Sequence, residues 1–445
     1  MPRWRWLMAQ LTRRLWVRAS LIGLMGILTA ILAAVVDSHL PFTIPGTISA
    51  DALDSILTVI ASSMLTVTTF SLNVMVSAYG SATSNVTPRA TTLLIEDRLT
   101  QTVLSTFLGS FLFGIVGLVV SKTGAYGEQG RSILFVVTIA VIALIVIALL
   151  RWIDHLTRLG RVGQTTDRVE AAARAAIRAR LRDPFLGGAP LRDPGRQIPA
   201  AAAPVTTEAI GYVQHIDLPA LSALCEARDA EVYVAAVPGT FVYPHTPLAR
   251  LRIRAGGEAG RAEAEELCRA VGAVFSVGDE RSFDQDPRFG LAVMSEIGSR
   301  ALSPATNDPG TAIDVLGRST RLLCLWARGC DAGAGGGESE APKYPRVHVP
   351  PLDTADLVED AFMLMARDGA GLIEVQLRLQ KGLAALSRMG DDALTAAARQ
   401  QSRMALERAE AALALDADRN RLRDLVRALD SDDAPIEAPG GRVCC

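Results

Sequence analysis

Histidine and cysteine are scarce in this chain of 445 residues, and their spacing removes most metal and thiol chemistry. The 5 histidines are His39, His155, His215, His245 and His348; no two stand four residues apart, so no HExxH-type site is formed. The 6 cysteines, Cys225, Cys268, Cys324, Cys330, Cys444 and Cys445, lie outside the apolar part without CxxC spacing. They read as reduced thiols, neither a disulfide framework nor a zinc site. Cys444 and Cys445 form no CaaX box, so an exposed tail is expected there. A formal net charge of -2 gives no reason to expect nucleic acid, and the basic residues are almost all arginine. GxSxG, a Walker loop and a GxGxxG turn after a strand are all absent, and the run Gly335 to Gly337 is not followed by Lys-Ser or Lys-Thr. The expectation is therefore no catalytic residue, no metal and no cofactor, with the balance against an enzyme.

What the chain has in abundance is apolar sequence. Its hydrophobic fraction is 49%, and most of the excess sits in the first third. Four stretches are long enough to cross a bilayer: Leu15 to Val36, Ile56 to Tyr79, Thr102 to Ser121 and Ser132 to Leu150. Before the first of these, and in its opening residues, lie Arg3, Arg5, Arg13, Arg14 and Arg18 with Trp4, Trp6 and Trp16. This belt-like flank, with no A-x-A site after it, predicts a retained anchor and not a cleaved signal. Arg89 and Arg98 lie between the second and third spans, and Arg151, Arg158, Arg161 and Arg168 follow the fourth, whereas the opposite loops carry only Lys122 and Arg131. That asymmetry predicts a bacterial inner-membrane protein with both termini cytoplasmic. Ser105, Gly109, Ser110, Gly114 and Gly117 give the third span a small-residue surface for close helix approach. The fourth span has no polar stripe and should be the most lipid-exposed.

The second span is the unusual one. At 100° per residue, Ser55, Thr58, Ser62, Thr66, Thr69, Asn73 and Ser77 fall on one arc about 100° wide. In hydrocarbon such groups need partners, so the stripe should face other helices or a water-filled path. Ser62, Thr66, Thr69, Asn73 and Ser77 are its central candidates, as helix interface or as pore lining.

The predicted organisation is a membrane α-helical bundle of four spans (1–152) followed by an α+β cytoplasmic domain. A juxtamembrane Ala/Arg helix, Asp167 to Arg182, and a Pro/Gly-rich linker, Asp183 to Ala209, fill 153–209. Residues 210–329 alternate short strand patterns with helices, and 330–352 hold a Gly-rich flexible loop and an edge strand at Arg346 to Val349. Three or four helices are expected over 353–430, then a polar tail over 431–445.

One polar cluster is dense: Arg281, Asp284, Asp286, Arg288, Arg300, Asn307 and Asp308. Its carboxylates have the chemistry to ligate a hard cation and its guanidiniums to clamp an anion. The competing reading is an internal salt-bridge network, with Asp308 as an N-cap and Pro309 at N1.

These residues carry a family resemblance. The runs Ser62 to Leu72, Gly211 to Asp217, Pro238 to Val242, Arg281 to Gly290 and Ala301 to Pro309 together resemble the bacterial predicted membrane proteins grouped as domain of unknown function 2254. The resemblance covers about Trp16 to Trp326 and implies four N-terminal spans with a cytoplasmic domain; it implies no activity. The chain departs from the pattern at Tyr243-Pro244-His245, where a glycine is expected. Three functions are consistent with this sequence: an oligomeric ion or small-solute channel or transporter with a cytoplasmic regulatory domain; a membrane-anchored cytoplasmic ligand sensor or enzyme; an assembly scaffold. The expected partners are the lipid bilayer and further copies of the chain, with no nucleic acid.

Overall fold

The computed structural model describes 50–95, 97–123, 128–156, 161–254, 261–334 and 341–430, together with scattered helical positions between 17 and 31. Over the described residues the chain divides into two compact units, one of residues up to 84 with 88–165 and one of 85–87 with 166–430.

The first unit is helical: α1 (Ala50–Asn85), the short α2 (Pro88–Ile95), α3 (Arg98–Lys122) and α4 (Glu128–Leu156). Three of these are long and apolar enough to cross a membrane among the described residues, over Asp51–Ser81, Leu99–Lys122 and Gly130–Leu156. The expected first span, Leu15 to Val36, falls mostly outside the described residues; those of its positions that are described are helical. Within it, a side chain added at Gly23 would lie 2.7 Å from Leu112, so this position rests on α3. α3 is the central helix, with 56% of its apolar window buried against 28% for α1 and 22% for α4. The smallest of these values belongs to the stripe-free span, as its composition predicted.

Small residues set the α1–α3 contact. A Cβ added at Gly114 would stand 3.1 Å from the Leu57 carbonyl oxygen and 3.2 Å from the Ala61 Cβ. Without a hydrophobic force between helices in lipid, this approach is held by dispersion and by backbone proximity. Gly114→Leu is expected to separate the two helices and destabilise the unit by about 1–3 kcal/mol. An unchanged unfolding midpoint in a detergent titration would contradict this packing.

The second unit begins within α5 (Val162–Arg182), at Thr166, and contains two sheets. The strands are β1 (Gly188–Pro190), β2 (Ala203–Thr206), β3 (Gly211–Ile216), β4 (Ala230–Val234), β5 (Phe241–Val242), β6 (Pro247–Ile253), β7 (Phe275–Gly278) and β8 (Tyr344–Val349). One mixed sheet has the order β1-β8-β4-β6-β2, and a small antiparallel sheet has the order β5-β3-β7. Between the strands come α6 (Pro194–Gln197), α7 (Leu218–Ala227) and α8 (Arg261–Ala273). α7 starts where Asp217 accepts from the Ala220 amide at 3.1 Å, with proline in its first turn. Its Leu218, Leu221 and Cys225 join Val232, Val234, Leu251, Phe275 and Val347 in one core.

Two expectations are corrected here. The segment expected as a linker, Asp183 to Ala209, supplies β1 and β2. Gly-Ala-Pro in β1 carries no alternation, and its pairing rests on backbone approach: a Cβ at Gly188 would lie 2.5 Å from the Val347 carbonyl oxygen. For the same reason β8 is no edge strand; β1 covers one side of it and β4 the other, both parallel.

The remaining helices are α9 (Pro287–Ala301), α10 (Pro309–Ala334), α11 (Thr354–Asp368), α12 (Ile373–Ser387), α13 (Asp392–Ala412) and α14 (Asp416–Asp430). Four helices therefore fill 354–430, within the expected number. The expected flexible loop lies partly outside the described residues, since α10 runs on to Ala334 and 335–340 are not described; the tail 431–445 lies outside them. His245, where a glycine was expected, has φ +68°. This is the left-handed region that glycine enters at least cost.

Candidate functional site: a polar stripe and a buried carboxylate

On α1 the buried face is Leu53, Leu57, Ile60, Ala61, Met64, Ser71 and Met75. These residues centre about 180° from the stripe at 100° per residue. Ser55, Thr58, Ser62, Thr66, Thr69, Asn73 and Ser77 are all exposed. Leu65, Leu72, Val76, Val59 and Phe70 flank them and are exposed as well. Among the described residues, the stripe is thus not used to pack helices of this chain.

The hydroxyls solve part of their solvation problem locally. Ser55 donates to the Asp51 carbonyl at 2.7 Å, Thr58 to Asp54 at 2.7 Å, Thr66 to Ser62 at 3.0 Å and Thr69 to Leu65 at 2.9 Å. Each keeps a free acceptor lone pair, and the Asn73 amide has no hydrogen-bond partner among the described residues. An amide with two donors and one acceptor is costly to leave facing lipid. At the two ends of the helices, polar groups are paired. Lys122 Nζ meets the Asp54 carboxylate at 2.7 Å and Ser121 donates to it at 2.7 Å. At the other end His155 Nε2 lies 2.8 Å from the Asp97 carboxylate, which also accepts from Thr100 Oγ1 at 2.6 Å.

The cluster expected around Arg281 is not brought together. Asp286 begins α9 and Asp308 begins α10, at opposite ends of a helix of 15 residues, about 22 Å long. Asp286 is buried, with 2% of its side chain exposed. It accepts from Arg281 Nε at 2.8 Å and from the Phe289 amide at 3.2 Å, and Arg281 Nη2 lies 2.7 Å away. Burial pushes its carboxyl up, against the pull of the Arg281 guanidinium. The remaining charges are spoken for: Arg288 bonds Asp356 and Asp360 on α11. Asp284 is half-buried and its amide meets Ser282 Oγ at 3.2 Å; Arg300 is exposed at the far end of α9. Asn307 holds φ +47° in the turn before α10, its amide donating to the Ser303 carbonyl at 2.8 Å. Among the described residues no group of three or more His, Cys, Asp or Glu is placed to hold a metal ion.

Asp308 acts as the expected cap, accepting from the Thr311 amide at 3.0 Å and from Thr311 Oγ1 at 2.6 Å. The Thr311 hydroxyl and amide hold its carboxyl below the usual range. Its stabilisation is thus present above about pH 4 and is lost as pH falls through the lowered value. Asp308→Ala is expected to cost about 1 kcal/mol at neutral pH and less at pH 2. Denaturation midpoints of both proteins at the two pH values check this; an equal loss at both would remove the cap assignment.

Sequence reasoning missed the partners that bury Asp286. Arg180 on α5 is 5% exposed, and its Nη2 donates to the Gln285 carbonyl at 3.4 Å. Burial pushes its guanidinium down to about 10, opposed by Asp286. Gly239, at φ +96°, leaves no room for a Cβ beside the Asp286 carboxylate. The Gln285 side chain in turn accepts from the Ile216 amide on β3 at 3.0 Å. Three of the runs that carry the family resemblance, on β3, in the Pro238 turn and at the start of α9, therefore meet around one buried carboxylate. Arg180 has no neighbours in sequence that mark it out from the other arginines of its helix.

Comparison with known proteins agrees on the broad class. The family model described as predicted membrane protein (DUF2254) matches residues 12–385. An uncharacterized protein of Mycobacterium bovis is 36% identical over 120 residues, which is 26% of this chain and 22% of that protein. An uncharacterized protein of Mycobacterium tuberculosis matches with the same identity and coverage. This chain thus spans about a fifth of the length of these curated relatives. No solved structure matches it.

Proposed function

We propose that this chain, which belongs to the family of predicted membrane proteins DUF2254, is a subunit of an oligomeric channel or transporter for an ion or small solute. In this reading four spans cross the bacterial inner membrane, both termini are cytoplasmic, and the second unit is a cytoplasmic regulatory domain. The observation that carries the reading is the exposure of the whole stripe from Ser55 to Ser77, opposite the face α1 buries. Polar groups in hydrocarbon must find partners or water. Among the described residues, the stripe meets only backbone carbonyls of its own helix, so in this reading copies of α1 from several protomers surround a shared hydrated axis. Purified parent protein in liposomes is expected to pass a small ion or solute. Impermeability to a panel of ions over a range of voltage and pH would end the channel reading and leave the stripe as an oligomer seam.

A further inference from the structure

We propose that the arginine-rich groove between α5 and α10 binds a phosphoryl group, carried by a phosphorylated small molecule or by an anionic lipid headgroup. The groove has a volume of about 440 Å³ and is lined by Asp167, Glu170, Arg174 and Arg178 from α5 and by Arg318 and Arg321 from α10. At its centre is Glu170, whose side chain is 7% exposed. Its carboxylate faces Arg174 at 2.7 Å, Arg318 at 2.9 Å and Arg321 at 3.3 Å.

The charges do not cancel evenly along the groove. Arg318 is occupied by Asp167 at 2.6 Å and Asp314 at 2.7 Å as well as by Glu170. That end is negative and open to water, with Asp167 and Asp314 more than half exposed. At the other end Arg174 and Arg321 meet Glu170, and Arg178 lines the groove beside them. Arg178 is exposed with no partner among the described residues, and Arg321 is 59% exposed with one contact at 3.3 Å. Three guanidiniums against one carboxylate leave a local surplus of about two positive charges, which matches a phosphate monoester near neutral pH. Guanidinium forks suit phosphate oxygens in a bidentate manner, and the buried Glu170 holds two of the three from opposite helices before any ligand arrives.

This inference is independent of the channel reading, because its test reads binding and not flux. The full chain in phosphatidylcholine nanodiscs is titrated with pyrophosphate at constant ionic strength by calorimetry. Saturable binding is expected, weakened at least ten-fold in Arg178→Gln/Arg321→Gln. Because these side chains are largely exposed, the variant should keep the parent's thermal midpoint. In a second arm, nanodiscs containing phosphatidylglycerol and no pyrophosphate are compared with phosphatidylcholine alone by hydrogen exchange. Slower exchange over 167–182 and 314–325, lost in the same variant, identifies the lipid headgroup as the source; binding only in the first arm identifies a free phosphorylated ligand. The proposal is overturned if neither arm gives an effect, or if the double variant behaves as the parent does.

Discussion

Asp286→Ala is expected to destabilise the second unit by about 3–5 kcal/mol, because it removes the carboxylate that compensates a buried guanidinium and a second one beside it. Arg281 would lose both of its contacts to that carboxylate, at 2.8 and 2.7 Å. Arg180, already pushed down by burial, would lose the charge that opposes that push. The start of α9 would lose its cap as well, at 3.2 Å from the Phe289 amide, worth about 1 kcal/mol by itself. Asp286→Asn separates these contributions: it keeps an acceptor for the cap and the shape beside Gly239 but removes the charge. Its loss should be large and smaller than that of alanine. The measurement is a denaturant titration of the full chain in detergent, followed by hydrogen exchange over α9 and β3. A loss below about 1 kcal/mol for alanine would sink the assignment of Asp286 as a buried anchor. The same titration with added divalent cation should give the same midpoint for the parent, since this carboxylate already has its partners; a metal-dependent rise would return the cluster to the ion-binding reading.

Asn73→Leu is expected to abolish most solute passage through the reconstituted protein while leaving oligomer size unchanged. Leucine has the same number of side-chain heavy atoms as asparagine but is bulkier, and it removes two donors and an acceptor. If the amide only met a neighbouring helix, its loss would cost about 1 kcal/mol or less and flux would be unaffected. If it lines a hydrated path, an isobutyl group narrows and dries that path where the permeating species needs polar contact. Thr69→Leu, on the same exposed arc, should act in the same direction. Thr68→Val is the control: Thr68 is half-buried on the other side of α1, and its hydroxyl donates to the Met64 carbonyl at 2.6 Å. Equal flux in the parent and in both stripe variants, at matched oligomer size, would remove Asn73 and Thr69 from any permeation path.

What the amino-acid sequence determined by itself is whatever a single segment decides. Span length and hydropathy are local sums, so α1, α3 and α4 were legible, as was the least buried position of α4. The helical period also placed the seven stripe residues on one arc, and Asp308-Pro309 marked the start of α10, because a cap needs only its own turn. Which way the arc faces was decided by tertiary packing: Gly114 and Leu57 bring α3 against the opposite side of α1, and this leaves the stripe outward. The strands at Gly188–Pro190 and Ala203–Thr206 were invisible for a related reason, since they pair through backbone groups that every residue carries. The polar cluster shows the limit most directly. Arg281, Asp284 and Asp286 are neighbours in sequence, as are Asn307 and Asp308, yet α9 holds the two groups apart. Meanwhile Arg180 and Gly239, far from Asp286 along the chain, close around its carboxylate. A buried charge takes its partners from whatever the fold brings within a few ångströms, and sequence proximity carries little information about that choice.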